Sequence, residues 1–557
     1  MPNLPDQQYA VQLVGPDKLV LNKNKKIHAP GRCQILCRVE AVGLCFSDLK
    51  LLKQFSSHVR KGPIVSGIAP EILDEIPSYV PQQLPAVPGH EAVVRIEAVG
   101  PEADEFRQGQ RYLVQTDYRW LRTVAGSNAA FGYNFEGALQ EYVLMDTRVI
   151  TSPQGESLLI PVGEELSSSA VALVEPWACV EDAYATPERK NLKKGGKMLI
   201  VADSEIDAGA LENLFKKYGK PGRITFIGKS KRLDFPGVPV EKTANVTVLK
   251  DAEFDDVIYF GCDAATAEIL FAKVGTSGLF NIVLCGWKFG RDVVTQVGRV
   301  HYGGIRIIGT TGSDPAISMK TIPRTGEIRP CDKINVVGAG GPMGLMHVVR
   351  NICQGIENVT VFAGDVDDDR LAALSKIAEP LAKKNSVTYH VYNPTKEKIK
   401  EVFDCTVLMA PVPALVAASV KDSAERGLIN IFAGIPATVT GQIDLDMYIS
   451  KRLYFIGTSG STLDDMKSVL EKVESGRLDT NLSVAAVCGF EGAADGIKAV
   501  ENRSIAGKII VYPACRNLGL LPLVDMGREM PEVARCLSDG LWTKQAEKKL
   551  LEKYGQV

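Results

Sequence analysis

An internal duplication constrains the fold of this chain more than any other feature. Three short sequence motifs recur in identical or nearly identical form, at an offset of 149 residues for the first two and 148 for the third. They are Phe254-Asp255 and Phe403-Asp404, Gly278-Leu-Phe-Asn-Ile282 and Gly427-Leu-Ile-Asn-Ile431, and Ile308-Gly-Thr-Thr-Gly-Ser313 and Ile456-Gly-Thr-Ser-Gly-Ser461. Motifs that recur in the same order at a near-constant offset indicate two copies of one structural unit.

Each copy alternates strand-like and helical segments. Short apolar runs at 197–202 and 333–337 are each followed by a helical stretch and then by another apolar run. This alternation predicts an α/β fold with a doubly wound parallel sheet in each copy. The first 190 residues differ, because 34–42 and 91–99 read as strands and long helical periodicity is scarce before residue 165. They predict a mostly β, barrel-like domain.

These patterns divide the chain into four predicted parts. Residues 1–190 form the mostly β domain, 191–325 the first repeat, 326–513 the second repeat, and 514–557 a tail that packs back on the first domain. A linker rich in proline and glycine lies between the repeats.

Composition excludes several classes of protein. The formal net charge of −2 gives no basic surface for nucleic acid. No apolar run reaches the ~18 residues that a membrane span needs, and residues 1–10 lack the apolar stretch of a signal peptide. The twelve cysteines are scattered, and Cys33 and Cys37 have no second pair to complete a metal site. We therefore expect a cytoplasmic protein without disulfides or a membrane.

The second repeat carries a candidate nucleotide-binding turn between a strand and a helix. Glycines allow a tight turn close to a pyrophosphate, and the helix N-terminus supplies amide donors. The spacing, G-x-G-x-x-x-G, is one residue longer than the commonest form. The candidate cofactor-binding residues of the turn are Gly338, Gly340, Gly341, Pro342, Met343 and Gly344.

A carboxylate at the end of the next predicted strand indicates the choice of cofactor. Asp365 follows Gly340 by 25 residues, where it could accept from the ribose hydroxyls of NAD. Its alternative role is the N-cap of the helix that follows. The run 364–370 holds four carboxylates and one cation, Arg370, the last candidate cofactor contact. A 2′-phosphate would meet mostly repulsion there, so NAD is favoured over NADP.

The equivalent turn of the first repeat is degenerate. Acidic residues replace its glycines and oppose a pyrophosphate by charge and by bulk. Basic residues after its second strand could bind another anion, although a solvated charged surface is the preferred interpretation. The acidic set is Asp203, Glu205 and Asp207, and the basic set is Lys229, Lys231 and Arg232.

Three segments of the mostly β domain supply metal-type ligands: Gly43-Leu-Cys45-Phe-Ser47-Asp48, Pro88-Gly-His90-Glu91 and Val174-Glu175-Pro176. A catalytic zinc takes about three protein ligands and keeps one position open. Singly, each residue has another interpretation: Cys45 as a core residue, His90 as a satisfied turn residue, and Glu175 as a carboxylate at a helix N-terminus.

Together these motifs resemble the zinc-binding medium-chain dehydrogenases. The resemblance covers roughly residues 10–190 and 330–515, and 131–137 and 175–181 look most like its sorbose-1-phosphate reductase and sorbitol dehydrogenase branch. Further matching motifs are Gly109-Gln-Arg-Tyr112, Gly137-Ala-Leu-Gln-Glu-Tyr-Val143, Glu175-Pro176 and Gly338-Ala-Gly340.

The resemblance implies a GroES-like catalytic domain and two Rossmann-type repeats, the first degenerate, with the active site between the catalytic and the nucleotide-binding domains. It implies zinc ligation by Cys45, His90 and either Glu91 or Glu175, one of the two glutamates acting through water. Ser47 resembles the family's proton-relay hydroxyl, with a local turn hydrogen bond as its alternative. The implied substrate is a polyol, a ketose or its phosphate, which exchanges a hydride with NAD.

The chain departs from this family in three ways. Residues 110–137 contain no cysteine, so the family's second, structural zinc is not expected and we predict one zinc. Cys45 and His90 are 45 residues apart, longer than the family leads us to expect, and the extra piece near 66–83 is predicted to form a loop at the mouth of the cleft. The third departure is the duplication.

Relatives of this fold often dimerise by pairing edge strands, so the first repeat is predicted to imitate a partner subunit. Residues 303–309 should then pack beside 451–457, giving a monomer with an internal pseudo-dimer. In the alternative, the first repeat is a tethered domain and the chain is a homodimer. Two rival functions also stay open: a non-catalytic nucleotide-binding sensor or scaffold, and a zinc-free enone reductase of the same fold.

Overall fold

The computed structural model describes residues 4–229 and 233–555. The chain divides into two compact units: unit 1 is Met1–Cys179 with Gly460–Val557, and unit 2 is Val180–Ser459. Within the described residues, no helix combines the length and the apolarity needed to cross a bilayer.

The strands, in chain order, are β1 (Gln7–Gly15), β2 (Lys18–Lys26), β3 (Gln34–Gly43), β4 (Ile64–Ser66), β5 (Glu91–Val99), β6 (Arg111–Val114), β7 (Asp117–Thr123), β8 (Asn128–Ala130), β9 (Tyr142–Asp146), β10 (Leu159–Pro161), β11 (Lys197–Ala202), β12 (Arg223–Gly228), β13 (Val240–Lys242), β14 (Phe254–Phe260), β15 (Val274–Val283), β16 (Val293–Thr295), β17 (Arg306–Thr310), β18 (Lys333–Val337), β19 (Thr360–Gly364), β20 (Thr388–Tyr392), β21 (Phe403–Leu408), β22 (Ser423–Ile431), β23 (Gly441–Ile443), β24 (Tyr454–Ile456), β25 (Val484–Cys488), β26 (Lys508–Val511) and β27 (Leu521–Pro522).

The α-helices are α1 (Phe46–Gln54), α2 (Pro70–Asp74), α3 (Thr147–Ile150), α4 (Ser168–Ala172), α5 (Val174–Ala185), α6 (Ala208–Tyr218), α7 (Ala264–Lys273), α8 (Gly298–Tyr302), α9 (Pro315–Met319), α10 (Pro342–Cys353), α11 (Asp368–Lys384), α12 (Pro413–Asp422), α13 (Leu445–Ser450), α14 (Leu463–Glu474), α15 (Phe490–Asn502), α16 (Met526–Glu529), α17 (Pro531–Ala534) and α18 (Lys544–Tyr554).

Unit 1 is built on a mainly antiparallel sheet in the order β10-β6-β5-β3-β26-β25-β27, with β9 also paired to β3. The central strands β3 and β5 are buried along most of their length, and their apolar side chains form the core of the unit. Smaller sheets, β1-β2 and β4-β7-β8, complete it. The mostly β character expected of the N-terminal residues is therefore found.

The expected end of the second repeat at residue 513 is wrong. Strand β26 pairs with β3, with Val511 opposite Val42, and β25 pairs with β26, so residues 460–513 belong to unit 1. The segment α14-β25-α15-β26 continues the strand and helix alternation of the repeat. A local pattern of this kind does not determine which sheet a strand joins.

The C-terminal tail lies on unit 1, as expected. The Glu547 carboxylate on α18 accepts hydrogen bonds from the backbone N–H groups of Ser168 and Ser169 and from the Tyr512 hydroxyl. The buried Trp542 indole donates to the Ser169 hydroxyl. The tail thus supports the N-terminus of α4, the helix just before α5.

The extra piece at 66–83 is not simply a loop. It contains α2, and Leu73, Ile76 and Val80 are buried. The Lys61 ammonium, itself buried, donates to the carbonyls of Val80 and Leu84. The apolar side chains at 73, 76 and 80 draw this segment into the core of unit 1.

Unit 2 contains two parallel sheets with the same strand order. The first is β13-β12-β11-β14-β15-β17 and the second is β20-β19-β18-β21-β22-β24. Every neighbouring pair within the two sheets is parallel. This is the arrangement predicted by the alternating patterns and by the repeated motifs.

The two repeats of unit 2 share one core, and their edge strands lie side by side. The buried Tyr448 hydroxyl accepts from the Phe455 N–H at 3.0 Å and donates to the Ile307 carbonyl at 2.8 Å, so it bridges β24 and β17. The Arg306 guanidinium donates to the Gly457 carbonyl at 3.1 Å. Strands β16 and β23, one from each repeat, pair antiparallel. Residues 303–309 lie beside 451–457 as predicted, so the first repeat does not sit apart as a tethered domain, and the oligomeric state stays a prediction.

Candidate functional site

Three predicted metal ligands meet where β3 and β5 adjoin in unit 1. Cys45 lies just before α1, His90 just before β5, and Glu91 is the first residue of β5. The β3–β5 ladder places Gly43 opposite Glu91, which brings the two segments together. Donor atoms of Cys45, His90 and Glu91 all lie within 4.8 Å of one another.

Asp48 organises this group. Its carboxylate is adjacent to His90 Nδ1 at 3.2 Å and accepts from the backbone N–H groups of Cys45 and Gly89. Burial alone would lower the pKa of His90, but the Asp48 carboxylate, together with Tyr133 and Cys45, raises this pKa well above its usual value. With Nδ1–H directed to Asp48, the Nε2 atom is the one left to bind a metal.

Glu91 is fully buried, and only one of its two carboxylate oxygens has a hydrogen-bond partner. The Lys508 ammonium donates to Oε1 at 2.5 Å and to the Leu44 carbonyl at 2.7 Å. Burial would lower the pKa of Lys508, but Glu91, together with Cys45 and Glu175, raises this pKa. The second oxygen, Glu91 Oε2, is buried without a hydrogen-bond partner. A cation beside it would remove the cost of leaving it unsatisfied.

A glycine is needed opposite this carboxylate. A Cβ at position 43 would collide with Glu91 Oε2. The absence of a side chain at Gly43 therefore leaves room for Glu91 Oε2 beside β3.

Glu175 lies near the three donors but is not part of the group within 4.8 Å. It is on α5, and Cys179 Sγ is 3.8 Å from its Oε1. Burial raises the pKa of Glu175 to about 7; His90 and Lys508 oppose the shift and the Glu91 carboxylate adds to it. Of the two glutamates left open by the sequence, Glu91 is thus the one that the fold places with Cys45 and His90. Ser47 is the second residue of α1 and is partly exposed.

The donor chemistry of this group fits zinc. One thiol, one imidazole and one carboxylate form a borderline-soft set that suits Zn²⁺ better than Mg²⁺ or Ca²⁺. The buried and unpartnered Glu91 oxygen is the observation on which the fit depends.

The glycine turn of the second repeat has the geometry that its sequence predicts. It joins β18 to α10, whose first residue is Pro342. Gly338 has φ +84, in the left-handed region that favours glycine. A Cβ at Gly344 would meet the backbone of Gly338 and Ala339, so the helix packs closely on the turn only because residue 344 is a glycine.

Asp365 lies against this turn. Its Oδ2 accepts from the Gly340 N–H at 2.9 Å. The residue that caps α11 is Asp367, which accepts from the N–H groups of Asp369 and Arg370, so the alternative role of Asp365 as the helix cap is wrong. A Cβ at Gly340 would collide with the Arg370 side chain, so Arg370 also borders the turn.

The acidic residues of the first repeat's turn are engaged in protein contacts. The Asp203 carboxylate accepts from the Tyr259 hydroxyl at 2.6 Å. Asp207 caps α6 by accepting from the Gly209 N–H. Glu205 and Lys229 are exposed, and Lys231 and Arg232 lie outside the described residues.

Comparison with known proteins identifies a domain of the chain and a similar fold. Residues 31–154 match the alcohol dehydrogenase GroES-like domain. This chain contains a GroES-like domain. The fold is similar to that of 2R,3R-butanediol dehydrogenase from Bacillus subtilis, with a TM-score of 0.51 and 14% identity over 91% of this chain and 100% of that one. The family match covers residues 31–154 alone, and at 14% identity the structural likeness shows a shared fold.

Curated relatives match only part of the chain. The uncharacterized protein YggP of Escherichia coli (strain K12) is 28% identical over 249 residues, which are 41% of this chain and 58% of that protein. L-sorbose 1-phosphate reductase of Klebsiella pneumoniae is 23% identical over 236 residues, or 40% of this chain and 56% of that protein. The chain thus spans little more than half the length of these two relatives, and the sorbose-phosphate branch is a distant match.

Sequence reasoning left two residues of the site without a role. Asp48 stands three residues after Cys45, and a carboxylate in the first turn of a helix is a recognisable signal. Lys508 has no local signal, because β26 meets β3 only in the folded sheet.

Proposed function

We propose that this protein is a zinc-dependent, NAD-linked dehydrogenase that oxidises a polyol or reduces the corresponding ketose or sugar phosphate. The proposal depends on one observation: donor atoms of Cys45, His90 and Glu91 lie within 4.8 Å of one another, and one carboxylate oxygen of Glu91 is buried without a hydrogen-bond partner. A non-catalytic sensor or a zinc-free enone reductase would not require such a group of metal-binding side chains.

Separate groups of residues would bind the metal, transfer the proton and bind the cofactor. Cys45, His90 and Glu91 would hold one zinc, and Lewis-acid polarisation of the substrate oxygen is the chemistry that the ion would supply. Asp48 fixes the ring of His90, and Lys508 holds Glu91 Oε1, which leaves Oε2 without a hydrogen-bond partner. Ser47 would pass the hydroxyl proton of the substrate towards solvent. The Gly338–Gly344 turn and Asp365 would bind the NAD.

A substrate screen tests this function. Zinc-loaded protein would be assayed with NAD and a series of four- to six-carbon alditols and alditol phosphates, and with NADH and the matching ketoses, by the absorbance of NADH. We expect turnover that a chelator abolishes and zinc restores. Turnover that is unchanged after complete zinc removal, or turnover of enones alone, would contradict the proposal.

The cofactor preference is expected to depend on Asp365. Wild-type protein should prefer NAD to NADP by more than tenfold in kcat/KM, about 1.4 kcal/mol. Asp365→Asn keeps an acceptor for the Gly340 N–H but removes the charge that repels a 2′-phosphate, so the preference should fall by about tenfold. Asp369→Asn, an exposed carboxylate in the same run, is the matched control. A wild type that prefers NADP would refute this assignment.

The internal pairing of the two repeats predicts a monomer. The edge strand β24, which would be open to a second subunit, is beside β17 of the same chain. Light scattering coupled to gel filtration should therefore give a mass near 60.3 kDa at micromolar concentration. A stable mass near twice this value would show that the chain has another dimer surface.

A further inference from the structure

Two arginines of unit 1, Arg60 and Arg119, have no part in the function described above, and Arg60 lies close to the metal donors. The Arg60 guanidinium carbon is 5.6 Å from the centre of the Tyr133 ring. The same ring is 5.7 Å, centre to centre, from the His90 imidazole. Arg60 therefore lies one aromatic side chain away from a proposed zinc ligand.

This pair carries excess positive charge. Arg60 Nη1 is 3.5 Å from Asp117 Oδ1, and Arg119 Nε is 3.3 Å from Asp117 Oδ2. One carboxylate is thus shared by two guanidinium groups, and it also accepts from the Asn128 amide. Arg119 is held further by its bond to the Ser461 carbonyl. Asp117 can neutralise only one of the two guanidinium charges, so the three side chains together carry a net charge of +1.

The position of Arg60 is held by its neighbours. Burial, with Arg60 and Lys50 nearby, lowers the pKa of His58 to about 4. His58 is neutral at neutral pH, and its Nδ1 accepts from the Arg60 backbone N–H at 3.2 Å. The Arg60 side chain keeps 28% of its surface exposed, so its remaining N–H donors can be reached by a ligand.

We propose that Arg60 binds the phosphate ester of a phosphorylated polyol or ketose whose reacting oxygen lies at the metal centre. This inference rests on the function proposed above and makes the substrate class specific. A guanidinium offers parallel N–H donors that match phosphate oxygens, and a dianionic ester supplies the charge that Asp117 leaves unbalanced. A neutral polyol has no negative charge to pair with this guanidinium. The Tyr133 ring, 5.6 Å from the Arg60 guanidinium carbon and 5.7 Å from the His90 ring, places this cation close to the metal donors.

The test compares one sugar with and without its phosphate. Zinc-loaded protein would be assayed with NADH and L-sorbose 1-phosphate, with L-sorbose, and with other ketose phosphates beside their parent ketoses. Wild type should prefer the phosphorylated member by about 100-fold in kcat/KM. Arg60→Gln should lower kcat/KM for the phosphorylated sugar by ~10–100-fold, mostly through KM, and should change the parent ketose less than about twofold. Arg32→Gln, which removes an exposed arginine paired with Glu102, should leave both unchanged.

The outcomes separate this inference from the function on which it rests. If parent ketoses are reduced as well as their phosphates, or if Arg60→Gln lowers both equally, the phosphate role is wrong and the dehydrogenase remains. If no polyol or ketose reacts, the proposed function fails, and calorimetric titration of L-sorbose 1-phosphate into the zinc-loaded protein decides the phosphate site. Binding that Arg60→Gln abolishes and Arg32→Gln preserves would support the site. Equal binding by both variants, or none by wild type, would overturn it.

Discussion

Cys45→Ser is expected to lose bound zinc and to lower kcat/KM by at least about 10³-fold, because Lewis-acid stabilisation of an alkoxide contributes several kcal/mol. A serine hydroxyl is a much weaker zinc ligand than a thiolate. Elemental analysis and steady-state rates on the same preparation would measure both effects.

The loss should not come from misfolding. Cys45 is only partly buried and is not a member of the core, so zinc-free wild type and zinc-free variant should unfold at similar denaturant concentrations. Cys331→Ser, which changes an exposed thiol, should keep both zinc and activity. A Cys45→Ser protein with normal zinc content and rate would show that the metal centre is elsewhere.

Lys508→Met should lower the free energy of unfolding of the zinc-free protein by about 3–5 kcal/mol. Lys508 is buried and is the partner of Glu91 Oε1, and its removal leaves a buried carboxylate with no compensating charge. Zinc should restore part of the loss, because a bound cation takes over the neutralisation of Glu91. Denaturant unfolding with and without zinc would measure both quantities.

Two further variants show whether the lost ion pair is the cause. Replacing both partners, Glu91→Met with Lys508→Met, should cost clearly less than Lys508→Met alone, since no charge is left buried. Lys544→Met, at an exposed position, should change stability by less than about 0.5 kcal/mol. A Lys508→Met protein within about 1 kcal/mol of wild type, well below the effect expected of a buried pair, would show that the Lys508–Glu91 ion pair adds little to stability.

The sequence could predict the parts of this structure that depend on local pattern. The alternating segments predicted two parallel sheets. The motifs repeated at 308–313 and 456–461 predicted that both sheets finish with equivalent edge strands. The glycine turn at 338–344 was predictable because a strand, a left-handed glycine and a helix follow each other directly.

The parts that depend on distant pairing could not be predicted. Strands β25 and β26 alternate with helices like those of the repeats, yet they hydrogen-bond to unit 1. The choice between Glu91 and Glu175 depended on the β3–β5 register, which motif spacing does not contain. Lys508 is 417 residues from Glu91 along the chain, and no local signal links them.

Zinc K-edge X-ray absorption, together with metal stoichiometry on the wild-type protein, tests the central proposal most directly. We predict near one zinc per chain, with one sulfur neighbour at about 2.3 Å and the remaining nitrogen and oxygen neighbours near about 2.0–2.2 Å. Cys45, His90, Glu91 and one water or substrate oxygen would give this pattern. Two tightly bound zinc ions, a shell of four sulfurs, or no zinc in protein that turns over its substrate would contradict the account.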